Sequence, residues 1–358
     1  MKVVSVVGAR PQFIKAAAVS RTIRSSYGEQ LVEVLVHTGQ HFDHNMSAVF
    51  FEELGIPAPA HDLGISGGTH GVMTGRMLAS IEAVLMGERP DWVLIYGDTN
   101  STLAAALAAA KLHVPIAHVE AGLRSFNNRM PEEINRVLAD RISTLLFCPS
   151  DAAVRHLANE GIHRGVSNVG DVMFDVSLYF REQAEQRSTI RTKLGLEPSA
   201  YVLATCHRAE NTDDPKRLCE IMAGLQVIAR TMKVVLPLHP RTRQVLATQG
   251  LLGTLDGMVI IEPLSFLDMI ALEQSAAAIV TDSGGVQKEA FFFQVPCVTI
   301  RDETEWGETV DLGWNRLVGA NRERIAQTFN ELTPGQRDVF PYGNGTAADK
   351  IVRTILAH

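Results

Sequence analysis

The sequence predicts an α/β protein built from two Rossmann-like, doubly wound domains that face each other across a cleft. Three observations lead there. Short apolar, β-branched runs recur along the chain and alternate with stretches of helical periodicity. That βα rhythm builds parallel sheets covered by helices. Nearly every run ends in a cluster of polar residues, and strand C-termini are where such sheets gather ligand-binding groups. Finally, 358 residues suit two ordinary cores better than one. The expected domains are 1–170 and 171–345, with a last helix over 346–358 packing back on the first.

Composition narrows the class. Hydrophobic residues make up 46% and charged residues 20%, as in an ordinary globular core. A net charge of −7 argues against nucleic acid or an anionic membrane as the main partner. The four cysteines, Cys148, Cys206, Cys219 and Cys297, form no CxxC pair. They read as reduced residues of a cytoplasmic protein rather than a disulfide frame or a zinc site. No run of 18 apolar residues occurs, and the first strand is too short for a signal sequence, so no membrane span or leader is expected.

The elements follow in order. Residues 3–7 form a buried strand, and Gly8-Ala9-Arg10-Pro11-Gln12 is its turn, with Pro11 at a helix-start position. Arg10 and Lys15 lie near the first turn of that helix, where cations can meet an anionic ligand. A strand over 31–36 runs into His37-Thr38-Gly39-Gln40-His41-Phe42-Asp43, a ligand-facing loop whose spacing fits no standard metal site. Residues 46–54 are helical in pattern, 64–71 form a glycine-rich loop, and 72–85 a helix. The strand 92–96 ends at Gly97-Asp98, where Asp98 has the ordinary role of capping a helix over 101–112. The strand 114–119 ends at Glu120. Pro131 opens a helix with Glu132 and Glu133 in its first turn, as dipole chemistry favours. Glu132 and Arg136 are spaced i, i+4 and share a face. The strand 144–148 closes this half, a helix over 172–183 links the halves, and the polar stretch 187–199 is the boundary loop.

The second half repeats the rhythm. Strands over 201–205, 234–238, 258–261, 277–280 and 298–300 lead into His207-Arg208, His239-Pro240-Arg241, Glu262-Pro263, Thr281-Asp282-Ser283-Gly284-Gly285 and Arg301-Asp302. The fourth cluster is the most informative. Ser283 can cap a helix over 286–293, and two glycines let a ligand approach the backbone. Free amides at a helix N-terminus bind phosphate. Glu289, one to two turns further in, could reach a ribose diol. This pattern points to a nucleotide site, and with two such sheets facing each other the first half would supply the carboxylates Asp98, Glu120 and Glu132 opposite it. No G-x-G-x-x-G follows the first strand and no phosphate-loop motif occurs, so neither bound NAD nor a P-loop is expected. The chemistry falls to side chains, with no cofactor and no metal.

These motifs together resemble the non-hydrolysing UDP-N-acetylglucosamine 2-epimerases over essentially the full length. The matching pieces include Gly8-Ala9-Arg10-Pro11 with Lys15, Gln40-His41, Gly97-Asp98-Thr99, His118-Val119-Glu120-Ala121-Gly122-Leu123-Arg124, and Pro131-Glu132-Glu133 with Asn135-Arg136. Others are His207-Arg208, Thr281-Asp282-Ser283-Gly284-Gly285 with Glu289, Thr304-Glu305, and Pro341-Tyr342-Gly343. The resemblance implies a glycosyltransferase-B-like fold, a homodimer, and a cytoplasmic isomerase serving surface polysaccharide synthesis. It implies inversion at C2 of a UDP-linked 2-acetamido sugar, UDP-N-acetylglucosamine to UDP-N-acetylmannosamine. The route is loss of UDP to a 2-acetamidoglucal, then re-addition. It further implies that Asp98, Glu120 and Glu132 are the acid/base set, with His207, Arg136 and Lys15 near the diphosphate and sugar. Arg10, Gln40, His41, Arg208, Ser283, Gly284, Gly285 and Glu289 would bind the UDP sugar.

Some positions depart from the family pattern. Gln12 stands where Glu is usual, Trp306 where Arg is usual, Asn344 and Thr346 replace a usual Asp and Gln or Lys, and Phe42-Asp43-His44-Asn45 occupies a usual regulatory segment. These differences resemble a subfamily acting on UDP-2,3-diacetamido-2,3-dideoxy-glucuronate in O-antigen synthesis. Gln12 fits that alternative, because a Glu would repel a substrate carboxylate. More distant alternatives are a glycosyltransferase of the same fold and a non-catalytic UDP-sugar-binding protein.

Overall fold

The computed structural model describes residues 1–40 and 54–358. Among them the chain forms two compact units, Met1–Leu178 with Phe340–His358, and Tyr179–Val339. His41, the run 42–45 and most of the expected helix 46–54 lie outside the described residues.

The first unit holds seven parallel strands: β1 (Lys2–Val7), β2 (Val32–His37), β3 (His61–Asp62), β4 (Trp92–Tyr96), β5 (Ile116–Val119), β6 (Leu145–Cys148) and β7 (Val166–Asn168). Their order is β3-β2-β1-β4-β5-β6-β7. Strands β4, β5 and β6 are buried along their whole length, which is why they read as unbroken apolar runs rather than alternating ones. The helices are α1 (Arg10–Thr22), α2 (His70–Glu88), α3 (Asn100–Lys111), α4 (Pro131–Ile142) and α5 (Asp151–Asn159). Val4, Val6, Val93 and Ile95 of the sheet pack with Met77, Ile81 and Leu85 of α2 and the alanines of α3. Alanine side chains are short, so α3 lies close to both the sheet and α2.

The strand order reverses between β1 and β4, and that reversal locates the site. Loops leaving adjacent strands there run to opposite sides, and a crevice opens at the strand C-termini. Val6 pairs with Ile95, so the turns at Gly8 and Gly97 emerge at the same end of the sheet.

The chain leaves the first unit between Leu178 and Tyr179, inside α6 (Val172–Arg187). Residues 187–199, expected as a plain boundary loop, carry the short helix α7 (Ile190–Leu194). The second unit repeats the topology with β8 (Tyr201–Thr205), β9 (Lys233–Pro237), β10 (Val259–Ile261), β11 (Ala278–Thr281), β12 (Cys297–Thr299) and β13 (Asn315–Leu317). The parallel order is β10-β9-β8-β11-β12-β13, so its reversal falls between β8 and β11. Its helices are α8 (Ala209–Thr212), α9 (Pro215–Ile228), α10 (Pro240–Thr248), α11 (Phe266–Glu273), α12 (Gly284–Phe292), α13 (Gly307–Asp311) and α14 (Arg322–Asn330). Helix α9 needs Gly224, because a Cβ there would meet Ile325 of α14 at 3.0 Å.

The final helix, α15 (Ala347–Leu356), belongs to the first unit. It buries Ala348, Ile351, Val352 and Ile355 on one face, as its amphipathic spacing requires. Asp175 of α6 receives the Ala347 and Ala348 amides at 3.1 and 2.8 Å, and the Tyr27 hydroxyl donates to Asp349 at 2.6 Å. Among the described residues no helix is long and apolar enough to cross a membrane.

Candidate active site

In the first unit the site is built at the ends of β1, β4 and β5. The Lys15 ammonium, one turn into α1, forms a buried ion pair with Glu120. Glu120 follows β5 directly and has φ +70, a left-handed conformation that costs a non-glycine residue about 1–3 kcal/mol. The Glu120 and Ala121 amides both donate to the Phe147 carbonyl at 3.1 Å, which fixes that conformation and turns the carboxylate towards Lys15.

Asp98 does not cap α3. Thr99 does, accepting from Thr102 N, and the Asp98 carboxylate instead takes the Arg136 guanidinium of α4. Asn135, the residue before it, donates to the Asp98 carbonyl at 2.9 Å. Arg136 pairs with Glu133, at 2.8 Å, rather than with Glu132. Glu133 also receives Ser125 N, Ser125 Oγ and Phe126 N at 2.9–3.0 Å, so it anchors the loop before α4. Glu132 remains half-buried in the first turn of α4, its carboxylate without a hydrogen bond or ion pair among the described residues.

Gly97 joins these groups. Its φ is +60, and a Cβ there would lie 3.1 Å from Lys15 Nζ and 3.4 Å from Glu120 Oε1. Thus the Lys15–Glu120 pair lies against Gly97, and Asp98, the next residue, carries Arg136, with Glu132 one turn before Arg136 on α4. Arg10 is the first residue of α1, partly exposed beside the same turn. Gln40 has a scaffold contact: its Oε1 accepts from Ser101 N at 3.2 Å and Ser101 Oγ at 2.9 Å.

Gln12 corrects an expectation. It is buried; its Oε1 receives the Gly8 and Ala9 amides at 2.8 and 3.1 Å, and its Nε2 donates to the Tyr96 carbonyl and Thr102 Oγ1 at 2.8 and 3.0 Å. Its amide is spent tying the first turn to β4. Its neutrality therefore has a use in the fold that the substrate argument did not include.

In the second unit the site lies at the ends of β8 and β11. The fully buried Asp282 carboxylate receives the His207 and Arg208 amides at 3.0 Å and Asn211 Nδ2 at 3.2 Å, so one side chain shapes the whole loop after β8. His207 keeps its ring largely at the surface, 6.2 Å between centroids from His239. Burial, then the neighbouring His207 and Arg241, lower the pKa of His239.

Ser283 caps α12, accepting from Val286 N at 3.4 Å, and Gly284 and Gly285 form the first turn. A Cβ on Gly284 would lie 3.3 Å from Trp306 Nε1, 3.8 Å from Arg208 Nη2 and 4.0 Å from Glu305 Oε2. On Gly285 it would lie 3.8 Å from Ser283 Oγ and 4.0 Å from Glu289 Oε2. The helix mouth is thus ringed by a guanidinium, an indole N–H, a hydroxyl and carboxylates, an arrangement suited to a phosphate beside a diol. Burial pushes the Glu305 carboxyl up, but the buried Arg301 guanidinium on it, at 3.0 and 3.3 Å, outweighs this and holds it below its usual value. Lys288 stacks its ammonium 4.0 Å from the Trp306 ring centroid, fixing the indole where an arginine was expected.

Sequence reasoning missed Asp140. This buried α4 residue accepts from Arg124 Nη1 at 2.7 Å and lies 2.8 Å from His118 Nδ1. Burial alone would raise its pKa, yet the bond and charge of His118, then of Arg124, lower it. The only signal was its i+4 spacing from Arg136 on the buried face of α4.

A family model described as UDP-N-acetylglucosamine 2-epimerase matches residues 26–356. A Pseudomonas aeruginosa protein named UDP-2,3-diacetamido-2,3-dideoxy-D-glucuronate 2-epimerase is 54% identical over 98% of both chains. A Methanocaldococcus jannaschii UDP-N-acetylglucosamine 2-epimerase is 42% identical over 99% of both. The crystal structure of the M. jannaschii UDP-GlcNAc 2-epimerase in complex with UDP-GlcNAc and UDP superposes with a TM-score of 0.92, at 41% identity and full coverage of both chains. The Neisseria meningitidis enzyme bound to UDP-GlcNAc gives 0.90 at 30% identity, again over both full chains.

Proposed function

The chain belongs to the UDP-N-acetylglucosamine 2-epimerase family and is an isomerase, and from that premise we propose that it inverts C2 of a UDP-linked 2-acetamido sugar. The observation that carries the reading is the two carboxylate–cation pairs at the end of β4, Lys15–Glu120 against Gly97 and Arg136 on the adjoining Asp98. The C2 proton of such a sugar has no carbonyl beside it, so enolisation is not open to it. Removal of H2 becomes feasible when the electron pair forms a C1–C2 double bond and the C1–O bond to UDP breaks. A carboxylate takes the proton, and UDP departs with its added charge. In the return step a proton is delivered to the other face of C2 and the diphosphate oxygen rebinds C1. Each step needs an acid or base in reach, which Asp98, Glu120 and Glu132 supply as a set. Lys15 and Arg136 place cations beside two of these carboxylates.

Stabilising the leaving diphosphate is the other requirement, and the mouth of α12 serves it. The Gly284 and Gly285 amides, the Ser283 hydroxyl, Arg208 and His207 offer donors and positive charge to phosphate oxygens, and Glu289 serves the ribose. Arg10, Gln40 and His41 complete the UDP-sugar contacts in this reading. The identity of 54% to the diacetamido-glucuronate enzyme favours UDP-2,3-diacetamido-2,3-dideoxy-glucuronate over UDP-N-acetylglucosamine as substrate. A cytoplasmic homodimer acting in surface polysaccharide synthesis is the setting that goes with it.

The test is proton NMR of the purified protein with each sugar nucleotide in D₂O. The reading expects the manno epimer with deuterium at C2, faster from the diacetamido-glucuronate. Asp98→Asn, Glu120→Gln and Glu132→Gln should each slow turnover by about 10²–10⁴-fold while UDP affinity changes little. Binding of UDP without exchange from either sugar would replace the epimerase by a transferase or a sensor.

A further inference from the structure

His118 and Asp140 form a fully buried pair that the acid/base chemistry does not use. His118 Nε2 lies 2.7 Å from the Gly97 carbonyl, and Nδ1 lies 2.8 Å from Asp140 Oδ1. A carbonyl oxygen only accepts, so Nε2 carries a proton; a second proton must lie between Nδ1 and Oδ1. The other Asp140 oxygen receives Gly122 N at 3.1 Å and Arg124 Nη1 at 2.7 Å. Arg124 in turn grips Glu160 through Nε and Nη2, at 2.6 and 2.8 Å.

An ordinary buried histidine needs only to have its nitrogens satisfied. This one meets more specific demands. The carbonyl it holds belongs to the peptide linking Gly97 to Asp98. The amide that Asp140 holds lies two residues after Glu120. Both glycines are left-handed, at φ +60 and +79, and neither has a side chain with which to hold its own backbone. One buried pair therefore grips both loops that present carboxylates, one by its carbonyl and the other by its amide.

We infer that His118 is a positioning residue, which with Asp140 holds the Gly97 and Gly122 backbones and thereby sets the Asp98 and Glu120 carboxylates. The inference rests on the functional reading above. It matters because a displacement of about 1 Å at a reacting group can cost about 10²-fold in rate.

Two substitutions separate the pair's two arms. The amide of His118→Gln can reach the Nε2 position and keep the donor to Gly97. His118→Asn reaches only the Nδ1 position, keeping Asp140 and releasing Gly97. The expected result is that His118→Asn lowers kcat about 100-fold and His118→Gln less than about tenfold, with KM and UDP affinity within about threefold in both. The double variant with Asp98→Asn should be no more than about threefold slower than Asp98→Asn alone, because the Gly97 arm acts through Asp98.

Wild-type kcat in His118→Asn would overturn the inference, as would equal losses in the two variants or losses that multiply in the double variant. Should His118→Asn fail to fold, His118→Ala replaces it. That change removes the donor to the Gly97 carbonyl and should lower kcat at least about tenfold with UDP affinity kept; unchanged kcat would count against the inference. Wild-type C2 exchange is measured first. Its absence overturns the functional reading and this inference together, whereas wild-type exchange with an unaffected His118→Asn overturns the inference alone.

Discussion

Gly97 sits at φ +60 with Lys15 Nζ 3.1 Å from where a Cβ would be, so it bears two constraints at once. Gly97→Ala adds about 1–2 kcal/mol of left-handed strain and pushes the ammonium off Glu120. The expected outcome is a modest fall in unfolding midpoint, with kcat reduced about 10²-fold and UDP affinity kept, read by calorimetry, turnover and titration. Gln12 makes the opposite case. Its amide is wholly engaged with Gly8, Ala9, Tyr96 and Thr102. Gln12→Glu should therefore leave the ratio of kcat/KM for the two sugar nucleotides within about twofold, and a larger change would restore it as a substrate determinant. The acid/base role of the carboxylates came from the family resemblance alone, but Asp98 and Glu120 were legible as polar residues just past apolar runs and Glu132 as a first-turn acid. Their partners were not: Lys15 meets Glu120 across 105 positions and Arg136 meets Asp98 across 38, separations fixed only by strand order. The i, i+4 spacing of Glu132 and Arg136 suggested a pair that the nearer Glu133 and Asp98 carboxylates take instead.

Helix α15 shows what an element needs in order to dock. Its apolar stripe was plain in the sequence, but its N-terminal amides are met by Asp175, far away in the chain and buried. Burial, and to a smaller extent the charge of Asp171, pushes the Asp175 carboxyl up to about 6 against the two amide bonds. An unfolded aspartate has a pKa of about 3.9, so the folded chain holds the proton more tightly. That contribution to stability is fully present below about pH 4 and is lost as pH rises through about 6. Asp175→Asn cannot ionise, so it escapes that loss while giving up one acceptor. It should be less stable than wild type near pH 4.5, and the deficit should shrink or reverse by pH 7.5, by up to about 3 kcal/mol in urea unfolding. A constant difference would mean that Asp175 is not the titrating group. Strands were legible wherever both faces are buried, as in β4 and β8. The edge elements β3, β7 and β13 escaped because they are only two or three residues long and carry polar side chains such as His61-Asp62 and Asn315-Arg316.

At the scale of the molecule, length and rhythm pointed to two units, and the same strand permutation recurs in both. No repeat at the level of residues accompanies it, since a parallel sheet asks only for apolar strands and polar turns. The recurrence divides the work. In the proposed reading the first unit supplies the acid and base groups, and the second a helix mouth suited to phosphate. Binding and chemistry should therefore come apart on mutation. Any ligand that binds only the folded state raises stability by RT ln(1 + [L]/Kd), about 2.7 kcal/mol at a hundredfold excess over Kd. UDP should give that full increment to wild type, Asp98→Asn and Glu120→Gln alike, although the last two barely turn over. Gly285→Asp should behave in the opposite way. Its Cβ meets nothing closer than 3.8 Å, and the gain of a carboxylate from the helix dipole offsets its repulsion by Glu289, so the protein without UDP should stay within about 1 kcal/mol of wild type. The same negative charge repels the diphosphate, and the UDP increment should vanish in a thermal-shift titration. If Gly285→Asp keeps the increment, the mouth of α12 is not where the nucleotide binds. If Glu120→Gln loses it, the division of labour between the units fails.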